Sequence, residues 1–290
     1  MVNNKGQVCP ERIVSVSPSN TEMLFAVGAG DKVIGVTDYC NYPPELDLQL
    51  KTNKTVTVGG YWNPSVKTIA DLKPDLVLLS VAKCSNQTKT CTTNCSHSCE
   101  ITITAAKKLQ NMGINVLMLY PHGLQSVLDD ILVVGDVTGN SMRAQEIVKD
   151  LRQRIHKVVE SSKTVMVKPK VYFEVWNDPY ISVNSKNWIG NLISLAGGKN
   201  IFGHTPSEWP MISPKHIVDL NPDVLLFPLI PDVPPFWESF ETVKNRQGWK
   251  NIAAVKNDHL YTVLRDCISR PGPRLVESLE QLSRIFHEIS

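Results

Sequence analysis

Four of the chain's seven cysteines fall in one stretch, "KCSNQTKTCTTNCSHSCE", at Cys84, Cys91, Cys95 and Cys99. Thiols this close together can hold a metal, carry redox chemistry or close disulfides. The separations match the paired spacing of structural zinc sites only in part, and they do not match an iron–sulfur motif. Thr, Ser and Asn fill the gaps, as in a surface loop, and "NQT" and "NCS" are formal glycosylation sequons. Catalytic signatures are missing. There is no HExxH, no G-x-S-x-G, no Walker A and no recognisable carboxylate pair, and the histidines are scattered. The missing motifs argue weakly against an enzyme and better for a binding protein with no catalytic residues and no cofactor of its own, with a metal site at the cysteines still open.

A second group of residues suits recognition. Tyr39 and Cys40 lie in "DYCNYPPE", Tyr61 and Trp62 in "GGYWNP", and His122 in "PHG". Further along, Trp176, Asn177 and Tyr180 lie in "VWNDPY", His204 and Trp209 in "GHTPSEWP", and Arg265, Asp266 and Cys267 in "LRDCISRPG". Any one aromatic serves equally well as a core or loop anchor. Jointly they suit the walls of a site for a large, flat, partly apolar ligand. Cys40 and Cys267 are expected at strand ends, either as ligand contacts, with a soft thiolate able to reach a metal centre in the ligand, or as buried inert thiols.

The elements that must position these residues are short β-branched runs alternating with helix-period segments, the pattern of an α/β fold with parallel sheets. "RIVSVS" (12–17), "KVIGVT" (32–37), "DLVLLS" (75–80) and "NVLMLY" (115–120) predict the strands of a first lobe. "KVYFEVW" (170–176), "DVLLFPL" (223–229) and "HLYTVL" (259–264) predict those of a second. The loops that carry these aromatic and polar residues follow or flank the strands, and in open α/β sheets ligands bind beyond the carboxyl ends. Two such ends facing each other would form a cleft. Between the first two strands, Pro18 to Thr21 open a helix, and Gly28 or Gly30 ends it. The Gly28-Ala29-Gly30 pair follows this helix and lacks the third glycine, so it reads as a C-cap and not as a dinucleotide fingerprint. Residues 141–160 form a long helical pattern without Gly or Pro, a rod of about 30 Å between the strand sets. The expected organisation is an N-terminal α/β lobe at 8–137, a connecting helix at 138–166 and a C-terminal α/β lobe at 167–290.

An internal repeat supports two pseudo-symmetric lobes. "SVKTIADLKPDLVLLS" from Ser65 and "SPKHIVDLNPDVLLFP" from Ser213 agree in register at Ser, Lys, Ile, Asp, Leu, Pro and Asp, each followed by an apolar run. Each copy predicts a helix, an L-x-P-D turn and a buried strand. At 290 residues, both lobes are large enough to bury a core. Hydrophobic content of 42%, charge of 20% and a net charge of +2 exclude a strongly basic nucleic-acid binder. No apolar run reaches the length of a membrane span, and "MVNNKGQVCP" lacks the layout of a signal peptide.

"RIVSVSPSNTEMLFAVGAGDKVIGVTDYCNYPPE", "GGYWNPSVKTIADLKPDLVLLS", "VYFEVWNDPYISV", "LISLAGGKNIFG", "SEWPMISPKHIVDLNPDVLLF" and "SRPGPRLVESLEQL" together resemble the solute-binding proteins of cobalamin and iron-siderophore ABC importers. The resemblance runs from about residue 11 to the C-terminus. It implies two Rossmann-like lobes bridged by one rigid helix, a shallow cleft, little hinge closure, and delivery of ligand to a membrane permease powered by ATPase subunits. "DYCNYPPE", "YWNPS" and "SEWPMIS" are closest to the cobalamin branch, in which a tyrosine at the position of Tyr39 lies against the corrin and a tryptophan at that of Trp62 lines the cleft. The siderophore branch carries arginines for anionic chelates, and here Arg265 is the one obvious candidate. The resemblance therefore implies a corrinoid ligand, with haem and ferric siderophores as alternatives, bound by a monomer. The implied location is extracytoplasmic, in the periplasm or at the cell surface, reached through a signal peptide or lipid anchor absent from this sequence.

The family carries glutamates at the positions of Lys67 and Lys215, where they engage arginines of the permease. Here both are lysine, each in the first turn of its helix, where a cation opposes the helix dipole by roughly 0.3–1 kcal/mol. The paired reversal implies a docking surface of inverted sign or one that uses other residues. In an oxidising compartment Cys84, Cys91, Cys95 and Cys99 most simply form two disulfides that stiffen a loop at the edge of the site. The rival reading from another class is a metal or redox protein that uses the same cysteines.

Overall fold

A computed structural model describes residues 6, 8–81, 98–164, 166–231, 235 and 239–289, with side chains of the fourth helix described from Glu100 onward. The chain divides into two compact units, Met1–Leu151 and Arg152–Ser290.

In the first unit, β1 (Ile13–Ser15), β2 (Val33–Val36), β3 (Val56–Thr57), β6 (Leu76–Ser80) and β7 (Val116–Leu119) form one sheet in the order β3-β2-β1-β6-β7. Every pairing in it is parallel. Gly59–Gly60 (β4) and Asn63–Pro64 (β5) make a separate antiparallel ribbon. The helices are α1 (Pro18–Ala26), α2 (Pro44–Lys51), α3 (Val66–Asp71), α4 (Ser98–Asn111) and α5 (Leu124–Thr138). Strand β6 is buried along its whole length, as a strand covered on both faces must be. Val14, Val16, Val58, Ile69, Val77, Leu79, Ala106 and Leu109 make the core. Each large aliphatic removed from water contributes about 1.5–3 kcal/mol. After α1, Gly28 takes φ +87°, the left-handed cap expected from its place in the sequence.

In the second unit, β8 (Lys170–Phe173), β11 (Lys199–Asn200), β12 (Val224–Leu229) and β13 (Leu260–Leu264) form a parallel sheet in the order β11-β8-β12-β13. Trp176–Asn177 (β9) and Tyr180–Ile181 (β10) form an antiparallel hairpin. The helices are α7 (Trp188–Leu195), α8 (Pro214–Leu220), α9 (Phe240–Lys244), α10 (Ala253–Lys256), α11 (Arg265–Ile268) and α12 (Leu275–Glu288). Tyr172, Phe202, Leu225, Phe227 and Trp249 dominate the core.

The long helix α6 (Ser141–Ser162) carries the boundary between the units. Its buried residues Ala144, Val148, Leu151 and Val158 form one stripe at helical spacing. In the second unit it is tied to α12 by a bidentate Arg154–Glu280 pair, both bonds 2.8 Å, and by Ser161 Oγ against His287 Nε2 at 2.9 Å.

The sequence repeat is a structural repeat with a physical cause. Ser65 and Ser213 cap α3 and α8, accepting from Thr68 N and His216 N. Both helices end through a left-handed residue before proline, Lys73 at φ 48° and Asn221 at φ 47°. The aspartate that follows then clips the start of the neighbouring strand. Asp75 Oδ2 accepts from Glu11 N and Arg12 N at 2.9 and 3.0 Å, and Asp223 Oδ2 accepts from Lys170 N at 2.8 Å. In return the basic residue at that strand start caps the helix carboxyl end: Arg12 Nη2 reaches Leu72 O at 2.6 Å, and Lys170 Nζ reaches Leu220 O at 3.1 Å.

Candidate functional site

In the first unit, the short β4–β5 ribbon makes Tyr61 and Trp62 its turn residues. The two rings meet edge to face, with centroids 4.5 Å apart. The Tyr61 hydroxyl donates to Ser80 O at 3.2 Å, at the carboxyl end of β6, and burial pushes its pKa up to about 12. Tyr61 is thus a neutral brace, and Trp62 is the exposed member at 51%. Tyr39, 54% exposed, comes to the same place, since a Cβ added at Gly60 would meet its ring at 3.5 Å. The structure therefore gathers Tyr39, Tyr61 and Trp62 on one surface. Cys40 does not join them: its side chain is buried, with Sγ 3.3 Å from Thr21 Oγ1 and 3.2 Å from Thr37 Oγ1, because the turn after β2 points it inward.

In the second unit, Trp176 and Asn177 form the first strand of the β9–β10 hairpin. Trp176 is 46% exposed, and its indole N–H donates to Asp178 O at 2.9 Å. Trp209 is half-buried, edge to face with Trp188 at 5.4 Å, and Trp188 Nε1 donates to Ile268 O at 3.0 Å in α11. The same short helix carries Arg265, which is exposed, and Asp266, which is half-buried. Arg270 Nη2 lies 3.0 Å from Asp266 Oδ2, and Arg265 Nε lies 3.8 Å from Oδ1, so two guanidinium groups share one carboxylate and leave a net positive charge. Cys267 is buried, 3.6 Å from Arg274 Nη1, so it too is an interior thiol. His122 and Tyr180 are half-buried, and His204 is exposed.

Lys67 and Lys215 are the second residues of α3 and α8, both exposed, so the repeat places them equivalently in their own lobes. Cys84, Cys91 and Cys95 lie outside the described residues, as does the side chain of Cys99. Among the described residues, Cys9, Cys40 and Cys267 are thiols, no disulfide is formed, and no cluster of His, Cys, Asp and Glu could hold a metal ion.

Sequence reasoning missed several residues beside these surfaces. Arg270 stands four residues after Asp266, a spacing readable only once α11 is known to turn there. Tyr42 and Tyr120 are exposed at 38% and 42%, following β2 and β7. Glu208, next to Trp209, is only 8% exposed, and burial raises its carboxyl above the usual range against the pull of Lys186.

Parallel sheets that present exposed aromatic rings and an arginine–aspartate cluster at their carboxyl ends, in two lobes carried on one long helix, define a two-lobed solute-binding protein. The chain belongs to the periplasmic binding protein family, whose pattern matches residues 13–265. It is 31% identical over 282 residues to an uncharacterised ABC transporter substrate-binding lipoprotein of Bacillus subtilis, covering 96% of this chain and 80% of that protein. It is 26% identical over 277 residues to a vitamin B12-binding protein of Vibrio cholerae, covering 94% and 87%. In fold it is similar to the crystal structure of a periplasmic vitamin B12-binding protein of Vibrio cholerae, with a TM-score of 0.75, 23% identity and coverage of 97% and 98%. It is also similar to a periplasmic haem-binding protein of Roseiflexus, with a TM-score of 0.77, 21% identity and coverage of 96% and 98%.

Proposed function

We propose that this chain is the substrate-binding component of an ABC importer and that its ligand is a corrinoid. It works outside the cytoplasm and hands its ligand to a membrane permease and the ATPase subunits that drive it. The observation that carries the ligand reading is the pair of exposed rings, Tyr39 and Trp62, at the carboxyl end of a parallel sheet, with Trp62 packed against the half-buried Tyr61 and Tyr39 beside Gly60. A flat, largely uncharged macrocycle gains most from such rings. Trp176, Asn177 and Trp209 offer further apolar and amide contacts, and Arg265, Asp266 and Arg270 offer a polar one with a net positive charge. That charge suits a single anionic group on the ligand, such as a phosphodiester. The B12-binding proteins among the relatives support the same ligand.

Haem and ferric siderophores are the second reading, favoured by the exposed Arg265 and the haem-binding fold relative. Calorimetry of the purified chain with cobalamin, cobinamide, haem and a ferric siderophore panel separates them. Tightest binding to cobalamin is expected, and tighter binding to haem or a siderophore would overturn the corrinoid assignment. Bound metal with thiolate absorbance and no affinity for any of the panel would instead favour a metal or redox protein built on the cysteine-rich stretch. Lys67 and Lys215 are assigned to permease docking, as a cationic pair matched by acidic groups on the partner.

A further inference from the structure

Behind the hairpin that presents Trp176 lies an ion pair that is not among the proposed ligand contacts. Glu174 follows β8 directly, its side chain fully buried, and its backbone N–H donates to Leu226 O at 3.0 Å in β12. Arg246, 72 residues away in sequence, reaches its carboxylate with two hydrogen bonds, Nη1 to Oε2 at 2.6 Å and Nη2 to Oε1 at 2.9 Å. The Tyr172 hydroxyl donates to the same Oε2 at 3.3 Å. The opposite face of the pair is aromatic. The Arg246 guanidinium carbon lies 5.3 Å from the centre of the Tyr180 ring and 4.7 Å from that of Trp249.

Tyr180 belongs to β10, the strand that pairs with Trp176 and Asn177. Only two residues per strand make up this ribbon, too few to be stable alone in water. Its outer strand has backbone support: Ile212 N donates to Tyr180 O at 2.8 Å, and Ile181 bridges to Met211. The strand that carries Trp176 is tied to β10 by Val175 N to Ile181 O at 2.8 Å, and its other neighbour is Glu174. Arg246 grips both ends of this path, Glu174 through its fork and Tyr180 through its face, and Ser182 Oγ, just past β10, adds a bond to Phe173 O at 2.8 Å. Lysine could not do both, because it has neither the planar fork nor the stacking surface.

We propose that Arg246 and Glu174 form a clasp that fixes the Trp176 hairpin, which makes Arg246 a positioning residue for ligand recognition that never touches the ligand. This rests on Trp176 being a ligand contact. The test combines hydrogen exchange of the ligand-free chain with calorimetry on Arg246→Met, Arg246→Lys and Glu174→Gln, each made with and without Trp176→Ala. In Arg246→Met, the amides of Val175 and Ile181 should exchange about tenfold faster or more while those of β12 keep their protection. Corrinoid affinity should fall about tenfold with Trp176 present and by less than about twofold in its absence, as expected for residues acting as one unit. Arg246→Lys should behave like Arg246→Met. Unchanged hairpin exchange, full rescue by lysine, or an equal loss of affinity with and without Trp176 overturns the clasp. Should Arg246→Met fail to fold, Glu174→Gln, which keeps the side-chain shape but replaces one of the two acceptor oxygens with an amide donor that cannot receive the Arg246 fork, is read by the same criteria. Absence of binding by the unaltered chain to every ligand of the panel would remove the ligand reading, and the exchange result alone then decides the clasp.

Discussion

Asp130 offers a sharp test of how burial acts in the first lobe. It sits in α5 between the buried Val127 and Val134 of the same helical face, and its Oδ2 has no hydrogen-bond partner among the described residues. Burial first, and then the charge of Asp129, push its pKa from 3.8 up to about 7. The direction of the pH effect follows from proton counting. Between those two values the folded chain holds a proton that the unfolded chain has released, so the contribution is full below 3.8 and is lost as pH rises through about 7. From pH 5 to pH 8 the group crosses about two units, a ceiling of about 3 kcal/mol at 1.36 kcal/mol per unit. The carboxyl is only partly buried, and screening reduces the expected loss to about 1 kcal/mol. Asp130→Asn, a permanent mimic of the neutral acid, should abolish that loss. Wild type and variant, equilibrated in a urea series at pH 5 and pH 8 and pulse-labelled with deuterium at a single pH, report the stability protecting α5. The variant should gain about 1 kcal/mol on the wild type between pH 5 and pH 8. An identical difference at both pH values refutes the reasoning and would mean that the Asp130 carboxyl titrates as an ordinary surface group.

Four further outcomes are expected. Gly135→Ala should lower stability by about 1–3 kcal/mol in urea unfolding although alanine is the better helix former, because the new Cβ would collide with that of Ala144 where α5 packs against α6; a stabilised variant would show that the helices can separate. Trp62→Ala should weaken corrinoid binding about tenfold or more by calorimetry, and Tyr61→Phe, which only removes the bond to Ser80 O, should cost about 1 kcal/mol or less of binding; an unaffected Trp62→Ala places the ligand elsewhere. Lys67→Glu with Lys215→Glu should weaken stimulation of the transporter's ATPase in reconstituted vesicles while ligand affinity holds, and unchanged stimulation would sink the docking assignment. After denaturation without reductant, only Cys9, Cys40 and Cys267 of the seven cysteines should react with a thiol reagent, the other four being paired; seven reactive thiols would end the disulfide expectation.

What was legible in the sequence was whatever is encoded locally. Seven strands show themselves as short apolar runs, most plainly β6 and β12 because a strand covered on both faces must be continuously apolar, and α6 shows itself because one stripe of small and aliphatic residues repeats over its whole length. The two-residue edge strands β3 and β11 leave no such trace, since two residues cannot establish a period. The repeat was visible as matching letters, but its reason was not. The aspartate after each L-x-P turn is repeated because it clips the start of a strand through a backbone N–H 63 or 53 residues earlier, and only the fold shows that partner. The candidate site divides along the same line. Tyr61 and Trp62, the turn residues between β4 and β5, are marked by the glycines before them and the Asn-Pro after them. Whether a side chain at a strand end points outward or inward depends on the next turn, which is why Tyr39 is exposed while Cys40 beside it is buried between two threonines. The Glu174–Arg246 pair lies further still from what local pattern can reveal. Glu174 reads as a polar interruption in "VYFEVW" and Arg246 as one charge in a loop. Only the sheet that carries β8 and the core that seats Trp249 bring them within 2.6 Å. An unpaired carboxylate at that depth would be strongly destabilising, and desolvation raises the Glu174 carboxyl even with Arg246 in place. The pair therefore had to be completed from a distant part of the chain, and the residue that completes it is also the one that stacks on the hairpin of Trp176.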